Sequence, residues 1–222
     1  MTLLKIDLHV HTNRSDSSSS VEKILETARE RGLDAIAITD HNTMAAYYYA
    51  IRIASDLMII PGLEVGTADG HLLILGIETR PPSRLRSAVE VTKYARKNKG
   101  VIIIPHPNIP LISVSEKVIR QIVPDAIETH NSNVPFFNYF TKKNTKLADK
   151  LGLPKTGGSD AHNHKSVGDA YTIVDAASKT VDSVLDAIKK GKTEPVGMSS
   201  PYKDPLKPSL ILVLQKLGIL EK

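Results

Sequence analysis

Val101-Ile102-Ile103-Ile104-Pro105-His106-Pro107 is the stretch on which the fold is decided. Four consecutive apolar residues with no polar alternation describe a strand buried on both faces, the condition of a parallel sheet covered by helices. An amphipathic segment, Ser87 to Asn98, precedes it and stops at Gly100, and another follows near Ser115 to Val123. The same pattern repeats outward in both directions. Upstream, strands are predicted over Leu3–Val10, Ala35–Thr39, Met58–Val65 and Leu72–Gly76. Helices are expected from a Ser19/Glu22 capping box to Gly32, and over about Thr43–Ser55. Downstream come the strand Ala126–Thr129, a helix near Asn138–Leu151, the strand Lys155–Ser159, the apolar stretch Tyr171–Val174 and a helix Val181–Lys190. Seven strands with intervening helices predict an α/β chain closed into a (β/α) barrel, one unit short of the usual eight; a doubly wound open sheet fits the same alternation.

The 222 residues contain no cysteine, which excludes disulfides, thiolate zinc sites, iron–sulfur clusters and a cysteine nucleophile. Any metal must therefore sit on imidazole and carboxylate. No apolar run approaches the roughly 20 residues of a membrane span, and the N-terminal segment has no signal-type core, so a cytoplasmic protein with no membrane partner is expected. A net charge of +5 favours anionic partners without choosing among them.

The eight histidines are placed unevenly on this pattern. His9 and His11 lie at the end of the first strand, His41 after the second, His106 after the fifth, His130 after the sixth, and His162 and His164 after the seventh. Only His71 falls at a strand's beginning. Asp40, Glu64 and Asp160 are strand-end carboxylates. In a (β/α) barrel the strand C-termini converge on one face, so these residues would meet. His9-Val10-His11 in extended backbone presents both imidazoles to the same side, and Asp160-Ala161-His162 does likewise with a carboxylate and an imidazole. Such a donor set suits Zn, Mn or Fe.

Asp7-Leu8-His9-Val10-His11-Thr12 with Ser15-Asp16, Ile38-Thr39-Asp40-His41-Asn42, Pro61-Gly62-Leu63-Glu64-Val65, Ile104-Pro105-His106-Pro107 and Gly157-Gly158-Ser159-Asp160-Ala161-His162 occur in that order. Together they resemble the successive motifs of the PHP (polymerase and histidinol phosphatase) superfamily, and within it the stand-alone metal-dependent phosphoesterases. The resemblance runs from about Lys5 to Gly197. It implies a distorted, TIM-like (β/α)7 barrel in a single domain over residues 1–197. Beyond it Pro201, Pro205 and Pro208 precede a short apolar helix, Leu210–Leu217, so residues 198–222 are read as a tail packed on the barrel, with an oligomer contact as the alternative. The resemblance also implies two or three divalent ions. His9, His11, Glu64 and Asp160 would hold the first, Asp16, His41 and His162 the second. Glu64 would bridge to a third held with His71 and His106. Asp40 is expected to orient a ligand imidazole. His130 is expected to face the substrate as a phosphate contact or proton donor beside Asn131, and His164, outside the motifs, to lie on the surface. Arg14, Lys165 and Arg80 are the cations nearest the metal loops and candidates to hold a phosphate oxygen.

The expected reaction is hydrolysis of a small phosphate ester, such as a nucleotide, nucleoside bisphosphate or sugar phosphate, by a metal-bridging hydroxide between ions roughly 3.5–4 Å apart. A short nucleic acid is the second substrate class. The sequence specifies no oligomeric state. Two further classes compete. One is a non-catalytic RNA-binding subunit resembling the ribonuclease P barrel protein, for which nine ligand-type residues would be idle. The other is a metal-dependent amidohydrolase. A serine hydrolase is disfavoured because Gly157-Gly158-Ser159-Asp160-Ala161 lacks the last glycine of a nucleophile elbow. Tyr47-Tyr48-Tyr49 is a candidate stacking surface, with at least one ring expected in the core.

Overall fold

The computed structural model describes residues 2–54 and 56–202. The tail helix expected over 210–217 lies outside them. Nine strands form a single sheet in the order β7-β6-β5-β4-β3-β2-β1-β8-β9. They are β1 (Thr2–Val10), β2 (Ala35–Ile38), β3 (Met58–Thr67), β4 (Gly70–Leu75), β5 (Val101–Ile104), β6 (Ala126–Asn131), β7 (Lys155–Gly158), β8 (Ala170–Ala176) and β9 (Thr193–Gly197). Six helices pack on it: α1 (Val21–Glu30), α2 (Ala45–Ile53), α3 (Ala88–Lys97), α4 (Glu116–Ile122), α5 (Phe137–Leu151) and α6 (Val181–Lys189). Among the described residues no helix is long and apolar enough to cross a membrane.

The run that opened the sequence reading behaves as its composition requires. Val101 to Ile104 are all fully buried. Val101 and Ile103 join Leu4, Ile6, Leu8, Ile60 and Leu73 in the barrel interior, while Ile102 and Ile104 pack with Ile36, Ile38 and Ile127 under the helices. Fully burying such side chains contributes about 1.5–3 kcal/mol each. α6 belongs to the interior cluster through Val184, Leu185 and Ile188.

The sheet is mixed and not uniformly parallel. β4 runs antiparallel to both β3 and β5, and β8 runs antiparallel to β1 and β9. β4 reverses because β3 returns directly through a hairpin turn at Ala68 and Asp69, with no helix between them. Its beginning therefore lies at the same end of the barrel as the C-termini of β1, β2, β3, β5, β6 and β7. This explains how His71, at a strand's start, reaches the histidine-rich face. Gly70 makes the turn at φ +123°, and an added Cβ would meet the Val114 nitrogen at 2.6 Å. Gly70→Ala is expected to lower stability by about 2 kcal/mol, read as a lower denaturation midpoint.

The barrel closes in an uneven way. The N-terminal half of β1 pairs with β8, from Thr2↔Ala176 to Ile6↔Thr172. Beyond it, β1 meets the end of β7: Asp160 N donates to the His9 carbonyl at 2.8 Å and His11 N to the Ala161 carbonyl at 3.0 Å. β8 thus wedges the seam at one end, while the other end is sealed by residues of the histidine motifs. This is the distortion expected of the barrel.

Two local differences from the sequence reading have physical causes. The first helix is capped by Ser20, whose side chain accepts from Lys23 N, and not by Ser19. Ser19 Oγ is engaged instead by His164 N at 2.9 Å and His164 Nδ1 at 3.1 Å, so His164 is half-buried and pins two loops together. The tyrosine run divides between core and surface, and Tyr48 is 43% exposed. Tyr47 is buried in the core, Tyr48 donates its hydroxyl to the Glu78 carbonyl, and Tyr49 donates to Glu22 at 2.6 Å.

Candidate metal centre

Irregularities in two strands aim the site. Leu4, Ile6 and Leu8 point into the barrel, but Val10 packs on the helix side, and the register with β2 shifts between Asp7 and Val10. A bulge flips side-chain parity, so His9 and His11 both turn inward above the apolar interior. In β6 a second shift lies between Glu128 and His130. It brings Glu128 and Asn131 into the cluster and turns His130 away. His130 bonds Thr129 Oγ1 at 2.9 Å and packs edge-on against Phe137, the first residue of α5. His130 is half-buried in these contacts, and burial lowers its pKa.

His9 Nε2 and His11 Nε2 lie 3.0 Å apart. Glu64 Oε2 is 3.5 and 3.3 Å from these two atoms, and Asp160 Oδ1 is 3.4 and 3.2 Å from them. His9 Nδ1 faces Glu128 Oε1 at 2.9 Å, which keeps a proton there and makes Nε2 the nitrogen that would bind a cation once its own proton is displaced. Donors at 2.0–2.1 Å around a tetrahedral ion stand about 3.3–3.4 Å apart, so the observed edges fit one cation with imidazole and carboxylate ligands. His11 Nδ1 and His106 Nδ1 are buried without a hydrogen-bond partner, a second sign of a group built for something other than protein contacts.

Two further groupings adjoin this one. Asp16 Oδ2 lies 3.3 Å from His41 Nε2 and 3.2 Å from His162 Nε2, and His11 Nδ1 is 3.6 Å from Asp16 Oδ1. His162 Nδ1 donates to the Asp160 carbonyl at 2.9 Å, so Nε2 is the atom it turns to Asp16, and that nitrogen gives up its proton where a cation is bound. On the other side, Glu64 Oε1 meets His71 Nδ1 at 2.8 Å and His106 Nε2 at 3.0 Å, while His41 Nδ1 is 3.3 Å from Glu64 Oε2. All nine residues expected as metal ligands are thus in one place, in three overlapping groups of candidate donors with Glu64 central. His9, His11, Glu64, His106 and Asp160 are buried, whereas Asp16 is 46% exposed, so the cluster opens to solvent on the Asp16–His41–His162 side. Two ligand positions hold left-handed backbone without being glycine, His106 at φ +30° and Asp160 at φ +53°. Such strain persists where surrounding structure imposes it, most often at functional sites.

The electrostatics follow from packing acids and imidazoles together. Burial opposes charge on His11, but Asp160 and Glu64 outweigh it and raise its pKa to about 9. His9 is also raised well above its ordinary value, against burial, by Asp160 and Glu128. Burial would raise Glu64, yet the imidazoles of His106, His11, His71 and His9 hold it well below the usual carboxylate range. Without a cation the imidazolium protons balance the carboxylates, and ligand binding of a cation must displace them.

Glu128 escaped the sequence reading. It is buried in β6 and bonds His9 Nδ1 at 2.9 Å, His106 N at 2.7 Å and Asn131 Nδ2 at 2.8 Å. A lone carboxylate in Ala126-Ile127-Glu128-Thr129 is the signal that could have found it. Gly158 leaves it room, since a Cβ there would stand 2.5 Å from His9 Cβ and 2.9 Å from Glu128 Oε1. Glu128→Gln is expected to weaken metal binding about 10–100-fold, measured by competition with a chelator. Asp7 is the other buried carboxylate near the cluster, pushed up to about 6 by burial against hydrogen bonds from Ser159, Gly168 and His9. Asp40 does not orient an imidazole. It accepts from Thr12 N, Thr12 Oγ1 and Ser15 Oγ at 2.6, 2.6 and 2.7 Å, which fixes the loop carrying Asp16.

Of the residues expected to bind substrate, Asn131 reaches the cluster, its amide 3.2 Å from Asp160 Oδ2. Arg14 and Lys165 are exposed and bond none of the described cluster residues, Arg14 lying over the Tyr49 ring and Lys165 over Tyr202. Arg80 lies in the wall of a cavity of about 240 Å³ with Asn42, Leu63, Val65 and Gly66, and none of the nine candidate ligands lines it.

A distorted barrel with a carboxylate–imidazole centre at its strand ends defines the metal-dependent hydrolase class. Residues 7–113 match the PHP domain and residues 141–193 the PHP-associated region, and the chain belongs to the PHP superfamily of metal-dependent phosphoesterases. It is 28% identical over 234 residues to a Syntrophotalea carbinolica protein named "Probable phosphatase", covering 88% of this chain and 97% of that one. In fold it is similar to a two-domain Bacteroides vulgatus protein containing a predicted PHP-like metal-dependent phosphoesterase, with a TM-score of 0.76 at 19% identity, over 89% of this chain and 65% of that one. It is also similar to the lesion-specific endonuclease Q of Pyrococcus furiosus, with a TM-score of 0.69 at 16% identity, over 96% of this chain and 66% of that one.

Proposed function

We propose that this chain hydrolyses a small phosphate monoester at a centre of two or three divalent ions. The observation that carries the reading is the convergence of His9 Nε2, His11 Nε2, Glu64 Oε2 and Asp160 Oδ1 within 3.0–3.5 Å, with the Asp16–His41–His162 group beside it on the solvent side. His9, His11, Glu64 and Asp160 would hold one ion, Asp16, His41 and His162 a second, and His71 and His106, with Glu64, a third. Bound ions would supply Lewis acidity toward the phosphoryl oxygens and activate water for attack at phosphorus.

The chain's own groups prepare that site. Glu128 and the Asp160 carbonyl hold the Nδ1 atoms of His9 and His162, so their Nε2 atoms face inward. The Asn131 amide holds the second oxygen of Asp160, and Asp40 fixes the loop that presents Asp16. The phosphoryl group enters where Asp16 is exposed, and Arg14 and Lys165, exposed on the loops after β1 and β7, attract its charge.

The test is a phosphatase screen of the purified chain with Mn, Zn, Mg and Fe, set beside its measured metal content. Mononucleotides, nucleoside 3′,5′-bisphosphates, sugar phosphates, histidinol phosphate and short RNA are the substrates. Turnover of a small monoester that a chelator abolishes is the expected result. A metal-free chain that binds RNA and hydrolyses nothing would overturn the reading.

A further inference from the structure

The loop that follows β5 runs through left-handed backbone at three residues that are not glycine: His106 at φ +30°, Asn108 at φ +67° and Leu111 at φ +76°. Side chains disfavour that path, so other groups must hold it. Ser113 closes it from within, its Oγ donating to the His106 carbonyl at 2.6 Å and accepting from Ile109 N at 2.7 Å. Glu128 holds its start through His106 N at 2.7 Å. A further hold comes from a helix, through Asn144 of α5.

Asn144 is 1% exposed and lies on the inward stripe of α5, where Phe137, Phe140 and Ala148 are its buried apolar companions. A carboxamide in that place costs desolvation unless its hydrogen bonds are made. They are made on the loop. The Asn144 side-chain NH2 donates to the Pro107 carbonyl at 2.7 Å and to the Phe140 carbonyl, one helical turn back, at 3.3 Å, the orientation that two acceptors require. The same end meets the Asn108 side-chain amide at 2.9 Å.

The loop places more than His106. Its Ile112 carbonyl accepts from His71 N at 2.9 Å, and its Ser113–Val114 backbone abuts Gly70, where a Cβ would meet Ser113 C at 2.7 Å. His71 and His106 are the imidazoles that meet Glu64 Oε1, at 2.8 and 3.0 Å. One loop thus sets where both stand, and α5, which supplies no candidate ligand, grips the loop at the residue after His106. The donors His9, His11, Asp16, His41, Asp160 and His162 are carried by β1 and by the loops after β1, β2 and β7.

We propose that Asn144 is a positioning residue of the metal centre: by holding Pro107 it fixes the mutual placement of His71 and His106, and so sets the affinity of the cation position they share with Glu64 and of no other. The inference rests on the metal-centre reading given above and deepens it, assigning control of one group to a buried amide outside it.

The experiment measures bound metal per full-length chain and the affinity of each ion, by competition with a chelator in Mn and Zn titrations. Asn144→Leu keeps the stripe filled and removes the donor. It is expected to weaken one ion about 10–100-fold and to leave the others within about twofold. Double variants identify the ion. Added to His71→Ala, which removes a ligand of the same group, Asn144→Leu is expected to have no further effect on metal binding; added to Asp16→Asn, it is expected to have its full effect. Asn144→Ala, a strong helix former lacking the same donor, carries the same expectations if the leucine variant does not fold. A residue that only stabilises the barrel would lower the denaturation midpoint with every ion in place, or weaken metal equally in both backgrounds, and either result overturns the proposal. A wild-type chain that binds no metal overturns the centre and this inference together. Because metal binding needs no turnover, the phosphoesterase reading fails separately. The expected Asn144 effect without hydrolysis of any ester sinks that reading and keeps the positioning role, and ester hydrolysis with unaltered metal binding in the variants does the reverse.

Discussion

Asp160→Asn is expected to lower metal-dependent phosphatase activity by roughly three orders of magnitude while the barrel stays folded. Asp160 Oδ1 stands 3.4 and 3.2 Å from the Nε2 atoms of His9 and His11, and the carboxylate is also close to His162 Nδ1, at 3.6 Å. Losing its charge removes one anionic donor of the first group and leaves the opposing imidazoles without a counter-charge. Asparagine is the informative replacement because the residue sits at φ +53°, a conformation that Asn tolerates far better than Ala. The backbone bond from residue 160 to the His9 carbonyl is then kept, and the change is confined to the side chain. The measurement pairs turnover of the best substrate with bound metal per chain. Activity within a few-fold of wild type would remove Asp160 from the centre.

The metal-free chain is expected to lose stability between about pH 7 and pH 9, on the order of 3 kcal/mol, and the metal-saturated chain to lose much less. His11 is raised from 6.5 to about 9 in the folded state, so it binds a proton more tightly there than when unfolded. That contribution is fully present below the unfolded value and disappears as pH climbs through the folded one. His9, raised well above its ordinary value, acts in the same direction. Asp7 is also raised, but only to about 6, so its loss is largely over before this window opens. Glu64 and Asp160 are shifted down and act at the acid end, where their contribution is lost as pH falls through the lowered values. When a cation takes the place of the protons, raising pH no longer unbalances the cluster. Denaturation midpoints at several pH values, with and without chelator, read the difference. A flat profile for the metal-free chain would contradict the charge balance described.

The strand pattern and the histidine placement were readable because both depend on local chemistry. Val101–Ile104 is apolar throughout because both its faces are covered, and His9-Val10-His11 keeps its two-residue spacing whatever surrounds it. The reversed β4 was not readable from periodicity, because an apolar strand carries no mark of its direction. Only the absence of a helix between Val65 and Leu72 hinted at a hairpin. The orientation of His130 was hidden for a similar reason. Alternation along Ala126–Asn131 is broken by a bulge, which belongs to pairing with β7 and leaves no trace in the residues themselves. Glu128 was missed because a buried acid is recognised by its partners, and those are 119 and 22 residues away in sequence. Sequence reasoning therefore found the donors and left their supports to be seen in three dimensions.

The seam between the first and seventh strands is closed by the backbone of His9, His11, Asp160 and Ala161, whose side chains include three members of the first ligand group. Opening the barrel at that point and dismantling the centre are one motion. A cation held there acts as a clasp on the whole fold, adding RT ln(1 + [L]/Kd) to the free energy of parting the strands. Amide protons of His11 and Asp160 should accordingly exchange with solvent on a clock set by free metal concentration, which makes the seam a built-in reporter of occupancy.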